Sequence, residues 1–160
     1  LGKLAGIITQ NIDGLHQDSG CSHVIELHGT NRSAACLSCG LQWPIENIQL
    51  RLEDGDLDPH CPDCDGLIKP ETVSFGQSMP TDAMDASYVL AEDCDLMLMI
   101  GSSLEVHPAA SIPPHASRSG AQLLFINRTE TPSDALAEII CRESAGEFMT
   151  FLLDEISDNQ

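Results

Sequence analysis

Two cysteine pairs impose the strongest constraint on how this chain folds. Cys36 and Cys39 form one CxxC pair, and Cys61 and Cys64 form a second pair, with 21 residues between them. Four thiolates at this spacing fit one tetrahedral zinc ion, because each pair can place both of its sulfurs at the Zn–S bond length of about 2.3 Å from a shared metal. A disulfide pair and a redox dithiol are the alternatives, although a redox site needs one CxxC motif that opens a helix. We therefore predict one structural zinc ion with a small module around it.

Short apolar segments alternate with helical segments outside the cysteine region. This alternation predicts an α/β fold with a parallel sheet covered on both faces. Predicted strands are 6–9, 24–27, 96–101, 122–127 and 138–141, and predicted helices are 81–93, 109–119 and 145–156. The run at 96–100 is apolar throughout, which is typical of a strand buried on both faces. Residues 1–32 and 69–160 are accordingly assigned to the α/β domain, and residues 33–68 to the zinc-binding module.

Charge and composition exclude several classes of protein. The chain has 25 Asp and Glu against 7 Lys and Arg, a formal net charge of −18, which disfavours direct binding of nucleic acid. An acidic surface attracts basic peptides, but it is equally typical of a solvated surface, for example in a salty cytoplasm. No apolar run approaches the roughly 18 residues of a membrane span, and no signal segment opens the chain. Seven cysteines, four of them in a metal pattern, predict a reducing, cytoplasmic location.

Polar residues follow the predicted strands where an open α/β sheet binds its ligands. Asn11 and Asp13 come after the first strand, and His28 comes after the second. Imidazole has an ordinary pKa near 6.5, which suits proton transfer close to neutrality. A structural histidine and an Asn/Asp turn or helix cap are the alternative interpretations. The 101–103 loop is a weaker signal, with N–H and hydroxyl donors suited to phosphate or ribose oxygens.

Seven ordered blocks, running from about Leu4 to the end of the chain, resemble the sirtuins. They are TQNIDGLH at 9–16, His28-Gly29, the two CxxC pairs, KPETVSFGQ at 69–77, IGSSLEVHP at 100–108, INRTETPSD at 126–134 and SAGE at 144–147. Sirtuins are zinc-containing, NAD-dependent protein lysine deacylases. The resemblance implies a Rossmann-like parallel sheet, NAD and Zn²⁺ as cofactors, and acyl-lysine proteins or peptides as partners, which we expect to be basic. In this reaction the acyl oxygen of lysine displaces nicotinamide from NAD, and the acyl group passes to ADP-ribose.

The resemblance also implies roles for individual residues. His28 matches the general base, and Asn11 matches the catalytic polar residue that, with Asp13, orients ribose, water and the nicotinamide carboxamide. The cofactor-binding residues that it implies are Gln10, Asn11, Ile12, Asp13, Gly101, Ser102, Ser103, Asn127, Arg128, Ser144 and Ala145. A peptide would add as a strand between two segments. Their residues are Val73, Phe75, Gly76, Leu104, Glu105 and Val106.

Sirtuins begin with a strand and a glycine-rich phosphate loop upstream of TQNID. The chain opens at Leu1 without these blocks, so we expect a piece of a longer protein or a truncated variant. In the Rossmann strand order the first, central strand lies between the strands ending at Thr9 and Gly101, and its absence leaves two unpaired edges. Two functions stay open: a deacylase as the complete protein, or a catalytically inactive zinc-bearing interaction module.

Overall fold

The computed structural model describes residues 2–158. The chain divides into two compact units, Leu1–Met84 and Asp85–Gln160, and each is considered by itself. Among the described residues, each helix is too short or too polar to span a bilayer. Parallel strands occur in both units, which confirms the predicted α/β class.

The first unit starts with two short parallel strands. β1 (Ile7–Thr9) pairs with β2 (Val24–Glu26) in parallel, with Ile8 opposite Ile25. The four-residue helix α1 (Leu15–Asp18) lies in the connection between them. Both strands were predicted from their apolar runs. Ile25 in β2 and Leu27 just after it are buried. The loops that follow β1 and β2 therefore leave the same edge of this sheet.

An antiparallel sheet carries the four cysteines. β3 (Gly29–Cys36) lies between β4 (Gln42–Pro44) and β5 (Ile68–Thr72), and α2 (Ile45–Glu53) follows β4. Gly29 has a φ of 71°, and a Cβ at this position would overlap the carbonyl oxygen of Glu71. Glycine after His28 thus allows β3 and β5 to approach closely. The sheet includes residues before 33 and after 68, so the antiparallel pairing extends beyond the predicted module.

The second unit is built on three parallel strands in the order β6-β7-β8. These are β6 (Leu96–Ile100), β7 (Gln122–Ile126) and β8 (Ile139–Cys141). The helices are α3 (Thr81–Asp93), whose first four residues belong to the first unit, α4 (Ile112–Ser119) and α5 (Ala145–Asp158), with a 3₁₀ turn (Ala109–Ser111) before α4. The central strand supplies the core, because Leu123, Phe125 and Ile126 are at most 1% exposed.

One sequence prediction about β6 is wrong. Met99 is buried, whereas Leu96, Leu98 and Ile100 are 40–50% exposed, so only one face of this strand is covered. Within residues 2–158, β6 also has a single strand neighbour, β7, and it lies at the edge of its sheet. An apolar composition on both faces shows that both faces can be buried, but not what covers them.

Candidate functional site

The four cysteines of the two CxxC pairs converge. Their sulfurs all lie within 4.8 Å of one another, with Cys36 Sγ 3.4 Å from Cys64 Sγ and Cys39 Sγ 3.6 Å from Cys61 Sγ. These separations exclude disulfide bonds and are close to the about 3.8 Å edge of a tetrahedron with 2.3 Å metal–sulfur bonds. The donor set is therefore that of a structural zinc site, with four ligands and no position left for a substrate.

Backbone N–H groups prepare one of these thiols for metal binding. The pKa of Cys36 falls to about 6, because the amide of Cys39 and then that of Ser38 donate to its sulfur. A thiolate is the form that binds a metal. Gly66 lies against the same sulfur, and a Cβ there would approach Cys36 Sγ to 2.7 Å. Neither CxxC pair opens a helix, which argues against a redox dithiol.

The loop after β1 is held in place through its carbonyl groups. The carbonyl of Gln10 bonds to His28 Nδ1 at 3.0 Å, and that of Ile12 accepts the Asn31 amide at 2.9 Å. A third carbonyl, that of Gly14, accepts Arg32 Nη2 at 2.9 Å. Alternate carbonyls thus bond to the segment 28–32, and the intervening side chains of Asn11 and Asp13 are exposed. The structure therefore brings together the polar residues that follow β1 and β2.

The ring of His28 has a defined tautomer in its neutral form. A backbone carbonyl can only accept a hydrogen bond, so Nδ1, 3.0 Å from the Gln10 oxygen, must carry the proton. Nε2 is then the unprotonated nitrogen with a free lone pair. His28 is half-buried, and its backbone carbonyl accepts the amide of Val73 at 2.8 Å. Nε2 is thus available as a hydrogen-bond acceptor, and the bond from Nδ1 to the Gln10 carbonyl fixes the orientation of the ring.

Of the peptide-binding residues predicted in the first unit, Val73 contacts this histidine. Val73 bonds to His28 through its backbone and is half-buried. Phe75 is 105% exposed, and Gly76 occupies a turn with a φ of 84°.

In the second unit, the predicted cofactor residues follow the carboxyl ends of three neighbouring parallel strands. Gly101 follows β6 with a φ of 65°, and its amide bonds to the Ile126 carbonyl at 3.0 Å. Ser102 Oγ accepts the amide of Leu104, which is buried with a φ of 53°. The next residues, Glu105 and Val106, are exposed, as is Ser103. This turn therefore buries Leu104 and leaves the flanking polar groups accessible.

Asn127, the residue after β7, is buried within a hydrogen-bond network. Its amide nitrogen Nδ2 donates to the Thr129 carbonyl at 2.9 Å. Arg142, just after β8, donates from Nη1 to the Asn127 carbonyl at 3.0 Å and pairs through Nη2 with Asp134. The pKa of Asp134 lies below its usual value, because the Thr131 hydroxyl and then the Arg142 guanidinium stabilise the carboxylate.

The Ser144 side chain caps the start of α5. The Ser144 hydroxyl accepts the Glu147 amide at 3.3 Å and also contacts the Glu147 carboxylate. This lowers the pKa of Glu147, and the nearby charge of Arg128 lowers it further. Ala145 is the first residue of α5, and Arg128 is exposed. Ser144 thus has a structural partner in addition to its predicted contact with a cofactor.

Sequence reasoning missed the residues that fix these loops. Asn31, Arg32 and Arg142 were not selected, although each bonds to a loop that carries predicted site residues. The chain has only 7 Lys and Arg, so a basic residue close to a sirtuin-like motif is a signal. It could have identified Arg32, which follows His28-Gly29, and Arg142, which precedes SAGE at 144–147.

Comparisons with known proteins agree on one family. The Sir2 family profile matches residues 1–108. An NAD-dependent protein deacetylase of Thermodesulfovibrio yellowstonii is 46% identical over 159 residues, which are 99% of this chain and 62% of that protein. An NAD-dependent protein deacetylase of Haloarcula marismortui is 39% identical over 156 residues, 97% of this chain and 60% of the relative. The chain thus spans about three fifths of the length of these curated relatives.

Solved structures match as well. A structure of Sir2 with a p53 peptide and NAD⁺ has a TM-score of 0.91 and 39% sequence identity, covering 96% of this chain and 64% of the other. A structure of Sir2 bound to an acetylated peptide has a TM-score of 0.92 at 38% identity with the same coverage.

Proposed function

This chain belongs to the Sir2 family, and on that premise we propose that the complete protein is an NAD-dependent protein lysine deacylase. It would release nicotinamide from NAD and transfer the acyl group of a substrate lysine to ADP-ribose. The observation that carries the proposal is the hydrogen bond from His28 Nδ1 to the Gln10 carbonyl, which leaves Nε2 free as a base beside the loop of Asn11 and Asp13.

His28 acts as the general base in this proposal. Its Nε2 accepts the proton of a ribose hydroxyl, and the bond from Nδ1–H to Gln10 strengthens as the ring becomes positively charged. Asn11 and Asp13 supply an amide and a carboxylate that orient the ribose, the water and the nicotinamide carboxamide. Their backbone is already fixed, so little reorganisation is needed when positive charge develops on the ribose.

The second unit is proposed to bind the rest of NAD. The Gly101–Ser103 turn offers N–H and hydroxyl donors to phosphate or ribose oxygens, and Asn127 and Arg128 are proposed to hold the adenosine ribose. Gln10 and Ile12 are proposed for the nicotinamide end, and Ser144 and Ala145 for the adenine end. Support comes from topology, because the residues of this unit all follow the carboxyl ends of parallel strands.

An acyl-lysine peptide is proposed to bind as an added strand. Main-chain hydrogen bonds to the segments around Val73 to Gly76 and Leu104 to Val106 would hold it with little dependence on its sequence. The exposed ring of Phe75 supports an apolar contact with such a peptide. The four cysteines would hold zinc in a structural role, because four protein ligands would complete its coordination.

The test uses the complete protein with NAD and an acetyl-lysine peptide. We expect nicotinamide release that depends on the peptide, and a loss of deacylation of at least about 100-fold in His28→Ala. His23→Ala is the matched control: its Nδ1 bonds to the Ala5 carbonyl at 2.8 Å, but it precedes β2 instead of following it. A His28→Ala protein as active as His23→Ala would refute the general-base role, and a wild-type protein without NAD turnover would refute the proposed function.

The net charge of −18 supports a preference for basic peptides. Electrostatic steering acts over a Debye length, about 10 Å at 0.1 M salt. The kcat/KM for a Lys/Arg-rich acetyl-lysine peptide should therefore fall more steeply with salt than that for a neutral peptide. Equal salt dependence would remove this preference and leave the proposed reaction intact.

A further inference from the structure

Arg32 lies against the loop that carries the proposed catalytic residues. Its Nη2 donates to the Gly14 carbonyl at 2.9 Å, and the same nitrogen pairs with Asp18 at 2.5 Å. Gly14 has a φ of 72° and is buried, and a Cβ at this position would overlap the Arg32 guanidinium. The guanidinium thus connects the end of this loop with the end of α1.

We propose that Arg32 is a positioning residue, which holds the loop of Asn11 and Asp13 in the geometry needed for nicotinamide release. This inference rests on the proposed function, because it gives Arg32 a role in that reaction. Arg32 itself would contact neither NAD nor the peptide.

Three carbonyls fix this loop, and their donors differ in kind. The donors are His28 at Gln10, a backbone amide at Ile12 and Arg32 at Gly14. A side-chain substitution cannot remove the backbone amide, and His28 is itself proposed to be catalytic. Among these three donors, Arg32 is therefore the one that can be removed by substitution without also removing a proposed catalytic group.

The ion pair with Asp18 contributes little to folding. The side chains of Arg32 and Asp18 are 46% and 60% exposed, and ion pairs exposed to this extent are weak in water. The bond to Gly14 restricts a loop with exposed catalytic side chains, where small displacements are costly to turnover. Loss of Arg32 should thus change the reaction rate much more than the stability.

The test compares four variants of the complete protein: Arg32→Gln, Arg32→Lys, Asp18→Asn and the control Arg118→Gln. Arg118, in the last turn of α4, is exposed, and its substitution removes the same charge far along the chain. Arg32→Gln should lower kcat for nicotinamide release roughly 10- to 100-fold, with a change in peptide KM of less than about twofold. Arg32→Lys should recover part of kcat, since an ammonium can donate to Gly14, and Asp18→Asn should give a smaller loss.

Thermal unfolding and amide hydrogen exchange at residues 10–18 accompany the kinetics. Faster exchange confined to this segment, with an unchanged melting temperature, supports positioning. Equal kcat in Arg32→Gln and Arg118→Gln, or a loss of kcat matched by global unfolding and not recovered by Arg32→Lys, would overturn the role of Arg32. A wild-type protein that releases no nicotinamide would overturn the proposed function, which is a distinct result.

Discussion

The antiparallel sheet around the cysteines and the parallel sheet of the second unit are stabilised in different ways. Residues 29–72 bury four apolar side chains, Ala34, Cys36, Ile48 and Cys61, of which two are cysteines of the metal site. The parallel sheet β6-β7-β8 buries large apolar groups of β7, with Phe125 fully buried. Apart from the metal-site cysteines, the first region has little hydrophobic core. The second region owes its stability to the burial of large apolar side chains. We therefore expect that the two regions respond to different perturbations.

Removal of zinc should have the largest effect and act on one region only. Structural zinc contributes about 10 to 16 kcal/mol to folding in small zinc-finger peptides, and residues 29–72 have little hydrophobic core to replace that contribution. A chelator, or Cys36→Ser, should unfold residues 29–72 and leave β6 to β8 protected. Amide hydrogen exchange of both regions and the zinc content by mass spectrometry measure this. Cys21→Ser, outside the cluster, is the control. Unchanged exchange at residues 29–72 after zinc loss would show that the metal does not stabilise this region.

Truncation of Phe125 should give the converse result. Phe125→Ala removes a fully buried ring from the centre of the parallel sheet and should cost about 3 to 5 kcal/mol of unfolding free energy. Phe75→Ala removes the same ring from a fully exposed position and should change the unfolding free energy by less than about 0.5 kcal/mol. Denaturant unfolding provides the comparison. Zinc content should stay at one ion in both variants, and loss of the metal in Phe125→Ala would show that the two regions are not independent.

Gly29 tests the junction between His28, the proposed general base, and the cysteine sheet. Gly20→Ala adds a Cβ with no atom within 4 Å, so only its φ of 90° opposes the change, at about 1 to 2 kcal/mol. Gly29→Ala adds the same type of strain and a clash with the Glu71 carbonyl, so we expect a cost of about 3 kcal/mol or more. Equal melting temperatures of the two variants would show that β3 and β5 can separate without loss.

Loss of the Asp134 carboxylate should have the smallest effect, and it should act on the second unit. The folded pKa of Asp134 is lowered, so its carboxylate stabilises the fold above the ordinary pKa, about 4. This contribution is lost as the pH falls from about 4 through the lowered value. Asp134→Asn should therefore be less stable than wild type at pH 6, and the difference should shrink as the pH falls below about 4. Asp154→Asn, which removes an exposed carboxylate of α5, is the control, and urea unfolding at each pH measures the difference.

Much of this architecture was predictable because it is local. Continuous apolar runs predicted the five parallel strands to within two residues, and the bounds of α3 needed no correction. The helix predicted at 109–119 begins instead as a 3₁₀ turn, because Pro113 and Pro114 lack the N–H groups that its first turn would need. The antiparallel pairing of β3 was not predicted, since its short strands carry no clear alternation of apolar and polar residues.

By itself, the sequence determined which groups are present: four thiols at metal spacing, an imidazole after one strand and an amide–carboxylate pair after another. Residue type and spacing are properties of the chain, so these predictions required no tertiary information. Only the tertiary structure decided that the Gln10 carbonyl fixes the tautomer of His28, that Arg32 holds Gly14, and that one face of β6 is exposed. Each of these depends on contacts between residues distant along the chain, and such contacts follow from packing and topology.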